Sequence, residues 1–406
     1  MADNLDTAQP ATPADAPSGA GTIDLDELKR KYDTESRFRA LTGKRALLIT
    51  VLGVCMACFH FYTAGFGLLV GQTQGAVHLA FALSLTFLLY PASQKLKGDK
   101  KHDIPWIDYV FAVLAAAASL YIVIFFEPLS ERAGLPTALD LGMGLVLILM
   151  VLEATRRISN PVLSCLAIAA IIYCFVGGWI PDSLGGHRGF SFTRIVNHMY
   201  LGTEGIFSTP VEVSATFVFM FILFGAVLER TGIGRFIIDL SLALAGWSAG
   251  GPAKVAVVSS GLMGTVSGSS VANVCTTGMF TIPLMKSVGY RPHFAGAVEA
   301  VASTGGQIMP PVMGAGAFIM AQFLGVPYTV VVVAAIIPAV LYYSAVIIQV
   351  HLEARRLGLS GLPRERLPNL FFLLRTRGFL LLPLGVIIYL LLAGYTPLKS
   401  AFWGIL

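Results

Sequence analysis

Apolar residues run along this chain in blocks of about 16 to 25, separated by short polar loops. A helix rises about 1.5 Å per residue, so one block crosses a hydrocarbon core of roughly 30 Å. The blocks are continuous rather than alternating, which predicts helices and not barrel strands. Runs at 46–70, 76–92, 107–126, 138–152, 161–180 and 211–228 predict six spans. The segment Phe236–Trp247 is about a dozen residues, roughly 18 Å of helix, too short to span. The next block, Pro252–Pro283, is too long for one crossing and has a small, polar centre, Gly264-Thr-Val-Ser-Gly-Ser-Ser-Val-Ala-Asn273. Arms of about 14 residues, near 21 Å each, pass mid-membrane without crossing it. That predicts a re-entrant hairpin behind a short interfacial helix; two tilted crossings would give the same parity. The run Phe294–Leu324 is broken at Thr304-Gly-Gly-Gln-Ile-Met-Pro-Pro311, where glycines lower helix propensity and prolines remove donors. Two further runs, 330–350 and 378–394, make about nine spans plus the hairpin. A last apolar block opens near Phe402 and stops at Leu406, so the sequence reads as cut short.

Charge fixes the expected orientation. Only 13% of residues are charged against 55% hydrophobic, where a soluble domain carries roughly 25% charged residues. Lys and Arg gather in alternate loops, and such loops face the cytoplasm. They are Lys29, Arg30, Lys31, Arg37, Arg39, Lys44 and Arg45 before the first run, then Lys95–Lys101, Arg156 and Arg157, Arg230 and Arg235, Lys286 and Arg291. The strongest such loop holds Arg355, Arg356, Arg364, Arg366, Arg375 and Arg377. The N-terminus is therefore expected inside, and segment 181–210 outside, with Phe190–Tyr200 lying along the outer interface. A net charge of +5 spread over these loops argues against nucleic-acid binding. Residues 1–28 are acidic and Ala/Pro-rich, without the apolar core of a signal peptide, and read as a disordered cytosolic tail. Cys55, Cys58, Cys165, Cys174 and Cys275 all lie in apolar blocks and read as small lipid- or helix-facing residues.

Membrane-depth backbone that is not helical survives only where it faces protein or a water-filled cavity. Broken helices of that kind build ion and substrate sites in secondary transporters. The hairpin tip offers Ser267, Ser269, Ser270, Asn273 and the carbonyls around Gly268. The break offers Thr304, Gln307, the carbonyls of Gly305 and Gly306, and the chain freed by Pro310 and Pro311. Neutral oxygens of this type suit Na+ and not a transition metal. The competing account is packing, since Gly264 and Gly268 form a GxxxG pair. Glu299 lies on the first arm of the broken helix, as a proton or pairing site or, with Arg291 and His293 two turns away, as an interfacial residue. His60, His78, Glu153 and Glu212, near span ends, read as interfacial. No phosphate loop, HExxH or GxSxG elbow is present, so nothing points to an enzyme or to a cofactor. An ion channel could use the same broken helices.

The stretches Gly251-Gly-Pro-Ala-Lys-Val-Ala-Val-Val, Gly264 to Asn273, Ile282-Pro-Leu-Met-Lys-Ser-Val-Gly-Tyr290, Val298-Glu-Ala and Ser303-Thr-Gly-Gly-Gln-Ile-Met-Pro-Pro-Val-Met-Gly314 resemble the fused membrane subunit of a tripartite ATP-independent periplasmic (TRAP) transporter of the TAXI type. Weaker likeness extends over 193–343. The resemblance implies an all-α polytopic membrane protein of the bacterial inner membrane. It implies a four-helix scaffold domain (29–160), a connecting helix and periplasmic segment (161–210), the first inverted repeat of an elevator-type transport domain (211–377) and the start of a second (378–406). It also implies an ion gradient, usually Na+ with H+ possible, and a TAXI-type periplasmic binding protein that delivers a small organic anion. On this likeness Ser267 to Asn273 fall on the first hairpin tip and Gly305 to Pro311 on the first interrupted helix. The second-repeat partner of the substrate site has no counterpart here, so an inactive fragment is a further reading.

Overall fold

The structure is a computed structural model that describes residues 38–39, 41–92, 103–132, 134–159, 161–181, 183 and 185–406. The expected N-terminal tail and the lysines at 95–101 lie outside the described residues. Every regular element among the described residues is helical. Seven of these helices are long and apolar enough to cross a membrane: α1 (Gly43–Phe66), α3 (Trp106–Ile124), α4 (Ala138–Ile158), α5 (Pro161–Val176, carried on to Trp179), α6 (Thr209–Arg230), α12 (Tyr328–Arg356) and α13 (Leu370–Leu392). The protein is a multi-pass membrane protein. Shorter helices complete it: α2 (Thr73–Leu89), α7 (Ile233–Ala245), α8 (Gly251–Ser267), α9 (Ser270–Ser287), α10 (Pro292–Gly305), α11 (Ala315–Leu324) and α14 (Pro397–Ile405).

Local chemistry explains several boundaries. Thr137 and Asp140 form a capping box that starts α4, each side chain serving the other's backbone N–H. Helix α7 buries Ile233, Phe236, Ile237 and Leu240, one face at helical spacing, as a short interfacial helix requires. The expected outer amphipathic stretch forms a helix over Phe192–Val196 and a π-helical turn over Asn197–Leu201. Both boundaries of the strongest basic loop differ from expectation: α12 runs on through Arg355 to Arg356. Asn369 caps the N–H groups of Phe371 and Phe372, so the helix begins at Leu370, and Arg375 and Arg377 sit on α13 rather than in a loop.

Among the described residues, buried apolar side chains gather in three cores. One joins α2, α3 and α4 through Phe87, Ala115 and Leu147. A second packs α6 and α7 with α13 and α14 around Phe224, Phe236 and Ile387. The third binds α8, α9, α10 and α12 through Val257, Met285, Ala302 and Val350. In the first bundle Asp108 is fully buried between the guanidinium groups of Arg39 and Arg157, the latter at 2.8 Å. Arg157 also reaches Glu153, which is partly buried. His60 and His78 are 1% and 7% exposed and touch each other, so their expected interfacial placement is corrected. Burial against α6 rather than exposure at a span end accounts for them. Glu212 is exposed.

Helices α8 and α9 fold back on each other as a hairpin. Its ends meet, because a Cβ on Gly250 would lie 2.5 Å from Tyr290 Oη. The arms hold 17 and 18 residues, longer than the sequence pattern suggested, since helix persists to within two residues of the turn.

Candidate functional site

The hairpin turns at Gly268, whose φ of 60° lies in the left-handed region that favours glycine. Ser269 then caps α9, its Oγ accepting from the Ala272 N–H at 3.3 Å. Ser267 Oγ accepts from the Ser269 N–H at 3.4 Å, so both hydroxyls serve the turn itself. The broken helix ends α10 at Gly305 and passes through a 3-10 turn, Gly306–Ile308. An extended Met309 and the Pro310-Pro311 pair follow before α11 starts.

The structure brings the two interruptions together. Gly264 lies against Gly306 so closely that a Cβ on Gly264 would fall 2.3 Å from Gly306 Cα. Gln307 Nε2 donates to Ser270 Oγ at 3.0 Å across the contact. Asn273 Nδ2 donates to the Ser260 carbonyl at 2.8 Å, and a Cβ on Gly306 would touch that same Nδ2. Two helix C-termini, of α8 and α10, and two N-termini, of α9 and α11, meet here, giving carbonyl-rich and amide-rich ends side by side.

The candidate residues divide into two layers. Ser269, Thr304 and Gln307 are exposed, with Ser270 half-buried beside them. Thr304 Oγ1 is spent on the Ala300 carbonyl of its own helix. The Pro311 carbonyl accepts from Tyr328 Oη at 2.7 Å, so that freed group is already satisfied by protein. Beneath lies a buried layer. Asn273 is 0% exposed, and its Oδ1 has no hydrogen-bond partner. Buried polar atoms are rarely left so, and an acceptor oxygen with free lone pairs at this depth fits a cation.

Glu299 is also 0% exposed, which decides against its interfacial placement. Its Oε1 accepts from Ser260 Oγ at 3.0 Å, from Ser303 Oγ at 3.2 Å and from Thr277 Oγ1, and its Oε2 accepts from Thr281 Oγ1. Three helices, α8, α9 and α10, thus supply hydroxyls to one carboxylate. Gly278 makes room for it, since a Cβ there would press on Glu299 Cγ at 3.1 Å. Sequence reasoning missed Ser260, Thr277, Thr281 and Ser303. The available signal was the spacing of Asn273, Thr277 and Thr281, polar positions four apart that share one helix face. The packing account of the glycines holds as well: Gly264 and Gly306 make the close approach that forms the site.

The comparisons agree with this architecture. Residues 146–406 match the family "Tripartite ATP-independent periplasmic transporter, DctM component". A putative TRAP transporter large permease protein of Haemophilus influenzae is 32% identical over 152 residues, 37% of this chain and 35% of that protein. The C4-dicarboxylate TRAP transporter large permease protein DctM of Pseudomonas aeruginosa is 28% identical over 200 residues, 48% of this chain and 46% of that one. The 2,3-diketo-L-gulonate TRAP transporter large permease protein YiaN of Escherichia coli is 31% identical over 91 residues, covering 22% of this chain and 21% of its own. The chain thus spans less than half the length of each of these three relatives. With the family match covering well over half of the residues, on a helical membrane fold with a hairpin set against a broken helix, the chain belongs to the DctM component family of TRAP transporters, the large permeases.

Proposed function

We propose that this chain is the permease part of a secondary active TRAP importer of the TAXI type, with small-subunit-like helices (29–160) fused ahead of the large component. On this reading 211–377 is the first repeat of the moving transport domain and 378–406 begins the second. The protein sits in the bacterial inner membrane with its N-terminus in the cytoplasm, and a periplasmic binding protein delivers a small organic anion such as a carboxylate. The C4-dicarboxylate and diketogulonate named for two relatives are both organic anions, which supports that substrate class. Na+ is the coupling ion of this reading and H+ its alternative.

The observation that carries the proposal is the unpaired Asn273 Oδ1, buried where the hairpin tip meets the broken helix. An ion bound there joins two helix interruptions, so its arrival and departure bias the same element that shapes the solute site. The test is uptake of labelled dicarboxylates into proteoliposomes carrying the assembled transporter, with and without its binding protein, under separately imposed Na+ and proton gradients. Accumulation that needs both the binding protein and Na+ is expected. Uptake driven by protons alone, and lost in Glu299→Gln, would move the coupling to the carboxylate. Non-saturable flux without binding protein would sink the importer reading in favour of a channel.

A further inference from the structure

His60 and His78 form a buried pair that the ion and solute site does not use. His60 Nδ1 lies 2.7 Å from the Met56 carbonyl, His60 Nε2 lies 2.9 Å from His78 Nδ1, and His78 Nε2 lies 3.1 Å from Ser214 Oγ. The chain of contacts therefore runs from α1 through α2 to α6, where Ser214 opens a π-helical turn, Ser214–Val218. Such local widenings are frequent at functional positions. Phe219 stacks on His60 with centroids 4.1 Å apart and presents its edge to His78.

Hydrogen-bond logic leaves the neutral pair one arrangement. The Met56 carbonyl can only accept, so His60 carries its proton on Nδ1 and its Nε2 accepts. His78 must then donate from Nδ1, which leaves its Nε2 to accept from the Ser214 hydroxyl. Each ring nitrogen is used once. A further proton has a single place to go, His78 Nε2, because His60 Nε2 is already covered. There it would turn Ser214 from donor to acceptor and leave an imidazolium in a closed junction.

Among the described residues, the acidic groups on the other helices packed against α2 are already engaged: Asp108 of α3 by Arg39 and Arg157, Asp140 of α4 by Arg132, and Glu153 of α4 by Arg156 and Arg157. Gln74 from α2 donates to Thr63 Oγ1 of α1 and to the Ala215 carbonyl of α6, all neutral groups. Near the pair on α1 stand Cys55, Cys58 and Tyr62, none of them charged, with Lys44 and Arg45 at the opposite end of that helix. On α2 His78 is itself the one ionisable side chain. On α6 Glu212 is exposed, and Glu229 and Arg230 lie at the far end; on α14, which packs on α1, Lys399 is exposed. A buried charge without a partner is costly, so protonation works against the closed junction.

We propose that the His60–His78–Ser214 chain is a proton-binding site that releases α1 and α2 from α6 when it is filled. The neutral pair closes the junction; uptake of one proton at His78 opens it. The inference is independent of what the chain carries. The same geometry gives α6, whose other faces pack on α8 and α14, an acid-sensitive attachment to the first helices.

Two measurements on the full chain in detergent test it. At pH 8, 15N spectra of histidine-labelled protein should show both rings with the proton on Nδ1; a proton on Nε2 of either ring would overturn the assignment. Melting temperatures at pH 5 and pH 8 should then be compared for the native chain and for His78→Gln, which keeps a donor and an acceptor but cannot titrate. The acid-induced drop should be larger in the native chain by at least about 3 °C, because the excess reports this site alone. An equal or larger drop in His78→Gln overturns the proposal. If that variant does not accumulate, the native spectra decide alone: at pH 5, a proton gained by His78 together with altered amide shifts at 214–218 supports the switch, and its absence refutes it.

Discussion

A methyl group on Gly268 would lie 2.2 Å from the carbonyl oxygen of Met313. The hairpin tip therefore touches the far side of the break, where Val312 and Met313 are buried. Gly268→Ala meets both that clash and a left-handed backbone, and should cost about 2 kcal/mol or more. Gly296, on α10, is the control, because no atom lies within 4 Å of the place an added Cβ would take. Gly296→Ala should stabilise by about 0.5–1 kcal/mol through helix propensity. Melting curves of the two variants should move in opposite directions.

Ser269 and Asn273 are both expected to serve an ion, and the structure gives them different surroundings. Ser269→Ala removes a helix cap, costing about 1 kcal/mol with the Na+ activation constant unchanged. On the proposed function, Asn273→Ala removes the unpaired oxygen and should raise the Na+ needed for half-maximal uptake by tenfold or more. Equal Na+ curves for Asn273→Ala and the native transporter would return the tip to a packing role.

Glu299 concentrates its hydroxyl partners so tightly that truncation should be severe. Glu299→Ala strands four donors or leaves them to compete for backbone carbonyls, at about 3 kcal/mol or more. Glu299→Gln keeps one acceptor and should fold with a smaller loss. If uptake is proton-driven through this carboxylate, the Gln variant also loses its pH dependence; uptake assays across pH 5.5–8 by steps of about one unit read the difference.

Asp108 balances two guanidinium groups, and among the described residues its removal leaves Arg39 buried without an anion and Arg157 with only the partly buried Glu153. Asp108→Ala should cost about 3–5 kcal/mol and free the segment at Arg39, which also donates to the Phe87 and Leu88 carbonyls. Faster proteolysis ahead of α1, together with a lower melting temperature, is the expected result. An unchanged pattern would mean that those two carbonyls suffice to hold Arg39.

Orientation rests on the basic loops alone. In a background without native cysteines, Ser183→Cys should react with an impermeant thiol reagent added to intact cells, and Ser360→Cys should not. Both positions are exposed, so access rather than burial decides the outcome. Labelling at Ser360→Cys alone would invert the topology.

Spans were legible because block length and loop charge are one-dimensional properties, and the breaks were legible because glycine and proline announce themselves. Depth and partnership were not. Arg291 and His293 near Glu299 suggested an interface, yet Gly278 on the neighbouring helix opens the space that takes the carboxylate inward. His60 and His78, 18 residues apart, looked like two separate span ends until the packing of α1 on α2 joined them. The start of α13 moved past expectation because one asparagine, Asn369, caps it. In each case the missing information was a contact between elements, which periodicity within one element does not carry.

The meeting of Gly264 and Gly306 also closes one side of the buried layer. Two backbones in van der Waals contact leave no slot for even one water, so this side of the buried layer is a sealed wall. If Asn273 holds the ion of the proposed function, the exposed Gln307 and its bond to Ser270, one helical turn from Asn273, mark the other side of that layer. On that proposal the amide–hydroxyl bond would work as a turnstile, letting go before an ion enters and re-forming behind it.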